Sequence, residues 1–164
     1  MPAAPDADLP SSLKAMRASF VTLKIAGQLR GCCGTVTAQG PVLHDVAANA
    51  YKAGFEDPRF RPMTAAELAE TDLGISVLST PRPIRFADEA DLLRQIRPDR
   101  DGLILEDGDR RGVFLPSVWE RFPDAAQFVD QLKRKADAAS DHWSDSPRVS
   151  RFTAESFGGP FRAG

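Results

Sequence analysis

The chain of 164 residues has only two cysteines, Cys32 and Cys33, and they are adjacent. A trans peptide holds neighbouring Cα atoms about 3.8 Å apart, below the ~4.4–6.8 Å span of ordinary disulfides. A bond between them is not expected, and the chain has no disulfide framework. Nor is there an excess of positive charge. The 21 Lys and Arg against 23 Asp and Glu give a formal net charge of −2, which argues against nucleic acid or a membrane surface as partner. No apolar run is long enough to span a bilayer, and no secretory leader is recognisable. Histidine is scarce: His44 and His142 stand far apart with no second ligand at metal spacing, so no metal is expected. No glycine-rich phosphate loop follows a strand and opens a helix. These absences predict a reducing, cytoplasmic setting and one domain, which this length accommodates.

What the chain does have is the run Ala18–Gly34. Phe20 to Lys24 alternates with a period of two, the pattern of a half-buried strand. A three-residue loop Ile25-Ala-Gly27, with Gly27 left-handed, would set Leu23 opposite Leu29, Thr22 opposite Arg30 and Phe20 opposite Cys32. One face then carries Val21, Leu23, Leu29 and Cys33, and the other Thr22, Lys24, Gln28, Arg30 and Cys32. A two-residue turn at Ala26-Gly27 would mix Arg30 with Leu23 and Val21, and is disfavoured for that reason. In this register Cys33 is a small core residue. Cys32 lies between the cations Lys24 and Arg30, which favour the nucleophilic thiolate, and Gly31 and Gly34 leave room for a ligand. The alternative is that Cys32 is an inert, half-buried strand residue. A meeting of Cys32 with His44 in space stays open.

Downstream, Val42 to Gly54 follows a helical period through Leu43, Val46, Ala50 and Tyr51, ending by Asp57-Pro58. The loop Glu56-Asp-Pro-Arg59 offers two carboxylates beside a cation, as acid and base or merely as salt bridges. Thr64 to Glu67 is a capping box. A strand is expected over 72–79, broken by Pro81-Arg-Pro83, and Asp88 caps a helix. A hairpin follows over 102–106 and 111–115, turning at Asp107-Gly108. Asp124 caps a helix with an apolar stripe of Ala125, Phe128, Val129, Leu132 and Ala136, and a last strand is expected over 149–157. Hairpins among helices predict an α+β class with antiparallel pairing. The expected organisation is a flexible lead-in over 1–17, a domain over 18–157 and a tail over 158–164.

The blocks Phe20-Val-Thr-Leu-Lys24, Leu29-Arg-Gly-Cys-Cys-Gly34, Phe55-Glu-Asp-Pro-Arg-Phe60, Ile75-Ser-Val-Leu-Ser79 and Arg111-Gly-Val-Phe-Leu-Pro116 are together distinctive. They resemble the AMMECR domain family, also called AmmeMemoRadiSam system protein A, and the likeness runs over about residues 18–157. The resemblance implies an antiparallel α+β fold with a smaller helical subdomain beside a cleft. It implies a site at Cys32, Glu56 and Asp57, with Lys24, Arg30 and Arg59 as ligand-binding groups. It also implies a pathway shared with Memo-like and radical SAM proteins; no cofactor follows from it. Two readings come with it, an enzyme-like cleft centred on Cys32 and a non-catalytic binding module for such a partner. The chain departs from the family pattern at Cys33, where isoleucine is usual. It also departs at its short N-terminal helix, of which Leu13-Lys-Ala-Met16 is the remnant, and at Lys135-Ala-Asp137 in place of Lys-Ala-Gly.

Overall fold

The computed structural model describes residues 9–136, 144 and 146–162. His142 and Asp137 lie outside them. The described residues divide into two compact units, those within 1–80 and 155–164 and those within 81–154. The antiparallel α+β expectation holds, with the strands shared between two four-stranded sheets, one in each unit. The second unit therefore carries a sheet of its own besides its helices.

In the first unit a four-residue helix α1 (Ser11–Lys14) precedes β1 (Ser19–Ile25) and β2 (Gln28–Gly34). Helix α2 (Val42–Phe55), the short α3 (Ala65–Ala69) and β3 (Thr71–Leu78) follow. The sheet order is β2-β1-β3-β8, where β8 is Ala154–Pro160. Val21 and Leu23 on β1 alternate inward onto Ala53 of α2 and Met63, while Thr22 and Lys24 point the other way. Gly31 and Gly34 do not make room for a ligand. A side chain on Gly31 would meet the Ala53 carbonyl oxygen, and one on Gly34 would meet the Phe20 ring. These glycines let α2 and Phe20 lie against the strand. Tyr51, counted into the inward stripe of α2, is 49% exposed and packs on Phe55 at 5.0 Å instead.

In the second unit, β4 (Arg82–Ile84), β5 (Gly102–Asp107), β6 (Arg110–Phe114) and β7 (Arg148–Phe152) form a sheet in the order β4-β7-β5-β6. Pro81-Arg-Pro83 is thus not a plain break: Arg82–Ile84 pairs with β7 as a short edge strand, where proline is tolerated. The hairpin turns at Gly108-Asp109, one residue later than expected, because Asp107 pairs with Arg110 and Gly108 supplies the positive φ of 65°. Helix α4 (Glu89–Gln95), capped by Asp88, and α5 (Ala125–Lys135), capped by Asp124, pack on this sheet with a 3-10 turn (Pro116–Glu120). Trp119 stacks on Phe128 at 3.8 Å and 9° in the core, and the expected α5 stripe faces inward.

The strand expected over 149–157 is two strands, parted at Thr153: β7 joins the second sheet and β8 the first. Gly158 to Pro160, assigned to the tail, belong to β8, where Gly158 lies against the Leu73 carbonyl.

Candidate functional site

The β1–β2 hairpin takes the two-residue turn that the sequence reading disfavours. Ile25 pairs with Gln28, and the turn residues Ala26 and Gly27 have φ of 49° and 76°. Both angles are positive, as a type I′ turn requires. The clash that argued against this turn is removed by a bulge. Lys24 pairs with Leu29 but Leu23 pairs with Gly31, leaving Arg30 as the extra residue. Beyond the bulge the register shifts by one, so Thr22 faces Cys32 and Val21 faces Cys33. The division of the cysteines survives by a different route. Cys33 packs against the Val21 core, and burial pushes its thiol pKa up. Cys32 shares a face with Thr22, whose Oγ1 lies 3.5 Å from its Sγ.

β2 is an edge strand, so every second amide has no strand partner. The Cys32 amide is one of these, and it donates to Asp57 Oδ2 at 3.0 Å. Asp57 follows the end of α2, with a side chain only 3% exposed. Its carboxylate also accepts from Arg59 three times: Nη2 at 2.7 Å, Nε at 3.0 Å and the Arg59 amide at 3.0 Å. The Arg59 guanidinium, followed by the Cys32 amide and the Arg59 amide, holds the Asp57 carboxyl well below the usual carboxylate range. The same contact raises the pKa of Arg59, to which the neighbouring Cys32 thiol contributes in turn. Cys32, Asp57 and Arg59 thus form one cluster on the open edge of β2.

Arg30 goes elsewhere. Pushed out by the bulge, it donates Nε to Glu67 Oε1 at 3.0 Å, and Nη2 to Glu67 Oε2 at 3.2 Å and to the Arg61 carbonyl at 2.9 Å. It is buried, and its Nη1 has no hydrogen-bond partner among the described residues. Glu67 also completes the capping box of α3, accepting from the Thr64 amide at 2.9 Å. Its pKa is lowered to about 2, first by the Arg30 guanidinium and then by the Thr64 amide. Phe60 links the two clusters, with the guanidinium carbons of Arg30 and Arg59 at 5.7 and 5.6 Å from its ring centre. Of the other expected site residues, Glu56 is the exposed cap of α2, and Lys24 is exposed on the Thr22 face, paired across the sheet with Asp72. His44 is on the first turn of α2, the helix that packs on the core face of the sheet, opposite the Thr22 face. The sequence reading missed Glu67 and Phe60 as partners of the arginines. The capping-box spacing marked Glu67, but nothing local tied it to Arg30.

The fold and the site define an antiparallel α+β protein in which an acid–proline–arginine loop contacts the edge of a glycine–cysteine strand. The AMMECR1 family model matches residues 2–157, and the chain belongs to that family. It is 39% identical over 152 residues to a protein of Methanothermobacter thermautotrophicus, covering 92% of this chain and 79% of that one. A Thermotoga maritima protein is 35% identical over 158 residues, covering 93% and 84%. The crystal structure of an uncharacterized protein from Pyrococcus horikoshii is similar with a TM-score of 0.87 and 32% identity, over 96% of this chain and 82% of that one. No helix among the described residues is long and apolar enough to cross a membrane.

Proposed function

We propose that Cys32 is the reactive centre of an enzyme-like site, in which Arg59 holds an anionic ligand and the Cys32 sulfur attacks an electrophilic carbon of that ligand. The observation that carries this reading is the double grip of Asp57, which fixes the Cys32 amide and the Arg59 guanidinium with one carboxylate. In the attack the sulfur lone pair forms the C–S bond, and the displaced electron pair moves to the oxygen or leaving group on that carbon. The exposed Glu56 carboxylate is the candidate acceptor of the thiol proton. Asp57, already accepting four hydrogen bonds, has a positioning role, and so has Arg30, engaged with Glu67. Lys24 is a second contact for the ligand. On the family resemblance, the site works in the cytoplasm, in a pathway with Memo-like and radical SAM proteins.

Iodoacetamide labelling of the native chain at neutral pH, resolved by mass spectrometry, tests this. Cys32 is expected to label at least about tenfold faster than the core-facing Cys33, and Arg59→Ala to slow Cys32 alone. Equal, slow labelling of both cysteines would remove the nucleophile. A second reading, a binding module for a Memo-like or radical SAM partner, is favoured by the thiol's hydrogen-bond partner being the Thr22 hydroxyl rather than a base. It predicts that Cys32→Ser keeps partner binding and Arg59→Ala loses it.

A further inference from the structure

The second unit carries an open pocket of about 580 Å³ beside the end of α5. Its apolar floor is formed by Phe114, Val118 and Phe122, with the two rings stacked at 6.4 Å. Three cations line it, Arg121, Arg134 and Lys135, and no lining side chain is acidic. Cations in the last turn of a helix are favoured there by the backbone dipole. That explains Arg134 and Lys135 on α5 but not Arg121, which comes from the other element, at the end of the 3-10 turn. The cations are laid against the aromatic floor. The Arg121 guanidinium carbon is 5.3 Å from the Phe122 ring centre, and Lys135 Nζ is 5.2 Å from that of Phe114 while donating to the Val113 carbonyl at 2.8 Å. Arg134 is steadied by Asp130 at 3.0 Å, one turn back along α5.

In a chain whose formal net charge is −2, three converging cations over an apolar floor select an occupant that is both acidic and apolar. The pocket is open rather than enclosed, which suits a protruding side chain of another protein better than a small molecule sealed from water. Arginine and aromatic side chains are also the groups that concentrate binding energy at protein interfaces. We infer that this pocket docks an acidic segment of a partner protein, with an aromatic side chain seated on Phe114, Val118 and Phe122 and flanking carboxylates met by Arg121, Arg134 and Lys135.

The test uses the whole chain and a fluorescein-labelled peptide, Glu-Glu-Phe-Glu-Glu, followed by anisotropy. Saturable binding is expected, weakened at least about tenfold in each of three ways. These are glutamine in place of every peptide glutamate, alanine in place of its phenylalanine, and Arg121→Glu in the protein. Arg110→Glu, on the β5–β6 hairpin and outside the pocket lining, is expected to bind as the wild type does. If Arg121→Glu fails to fold, as judged by circular dichroism, Arg134→Glu takes its place. Absence of saturation at millimolar peptide, or equal binding by either pocket variant, overturns the proposal. Undiminished binding of the alanine peptide also overturns it, because it would mean charge attraction without a seated side chain.

Discussion

At the scale of the residue, the arginine of the Leu-Arg-Gly-Cys block is held by two oxygens of a carboxylate that also caps a helix. The sequence marks Glu67 as a capping residue through its spacing from Thr64, and that reading is correct as far as it goes. The second duty of Glu67 depends on Arg30 leaving the strand at the bulge, which no neighbouring residue announces. This double use has a consequence for acid stability. Glu67 has its pKa lowered from the ordinary carboxyl value of 4.5 to about 2, first by the Arg30 guanidinium. A carboxyl whose pKa is lower folded than unfolded stabilises the fold above its ordinary pKa, and that contribution disappears as pH falls through the folded value. Glu67→Gln is therefore expected to lower the urea midpoint at neutral pH. The gap to the wild type should narrow steadily as pH is taken from about 4.5 toward 2. A gap that is constant with pH, or widens in acid, would show that the Arg30 contact does not set the ionisation of Glu67.

At the scale of the element, the β1–β2 hairpin shows what a period-two pattern does and does not reveal. Alternation identified the strand and placed Val21 and Leu23 inward, because facing is fixed by the pleat. Register was a different matter. A three-residue loop sorts polar from apolar residues over the whole hairpin without an irregularity. The chain uses a two-residue turn and then corrects the facing with one extra residue, Arg30. Bulges carry no strong local signature, so the pattern cannot tell a longer loop from a tight turn followed by a bulge. The candidate site depends on the difference, since Cys32 faces Thr22 and not Phe20. The Cys32 amide points to Asp57, so Thr22 and Cys32 are a non-hydrogen-bonded pair, with Cα atoms about 4.5 Å apart in such pairs. That separation falls within disulfide range. Thr22→Cys is expected to form a disulfide with Cys32 under mild oxidation, seen as a two-mass-unit loss on the linked peptides, while Phe20→Cys is not. The reverse outcome would restore the register with the longer loop.

At the scale of the whole molecule, the chain leaves its first sheet after β3, builds the second unit from residues 81–154, and returns to pair β8 beside β3. The α+β class was legible because each hairpin announces antiparallel pairing from adjacent residues. The return was not, because membership of a sheet is a long-range property and the sequence from Val149 to Phe157 reads as one strand. What ends that strand is the change of sheet at Thr153, for which the residues themselves give no turn signal such as glycine or proline. The same change carries the last residues out of the expected tail. Gly158 lies against the Leu73 carbonyl, and the Phe161 amide donates to the Thr71 carbonyl at 2.7 Å. If residues beyond 157 were a tail, removing them would leave the first sheet unchanged. As part of β8, their loss turns one end of β3 into an open edge. Truncation after Phe157 is expected to speed amide exchange in β3 by about tenfold or more, because exchange follows local opening, with the β1–β2 pairs as internal reference. Unchanged protection of β3 in the shortened chain would mean that β8 contributes nothing to holding the first sheet, and that its closing residues are tail after all.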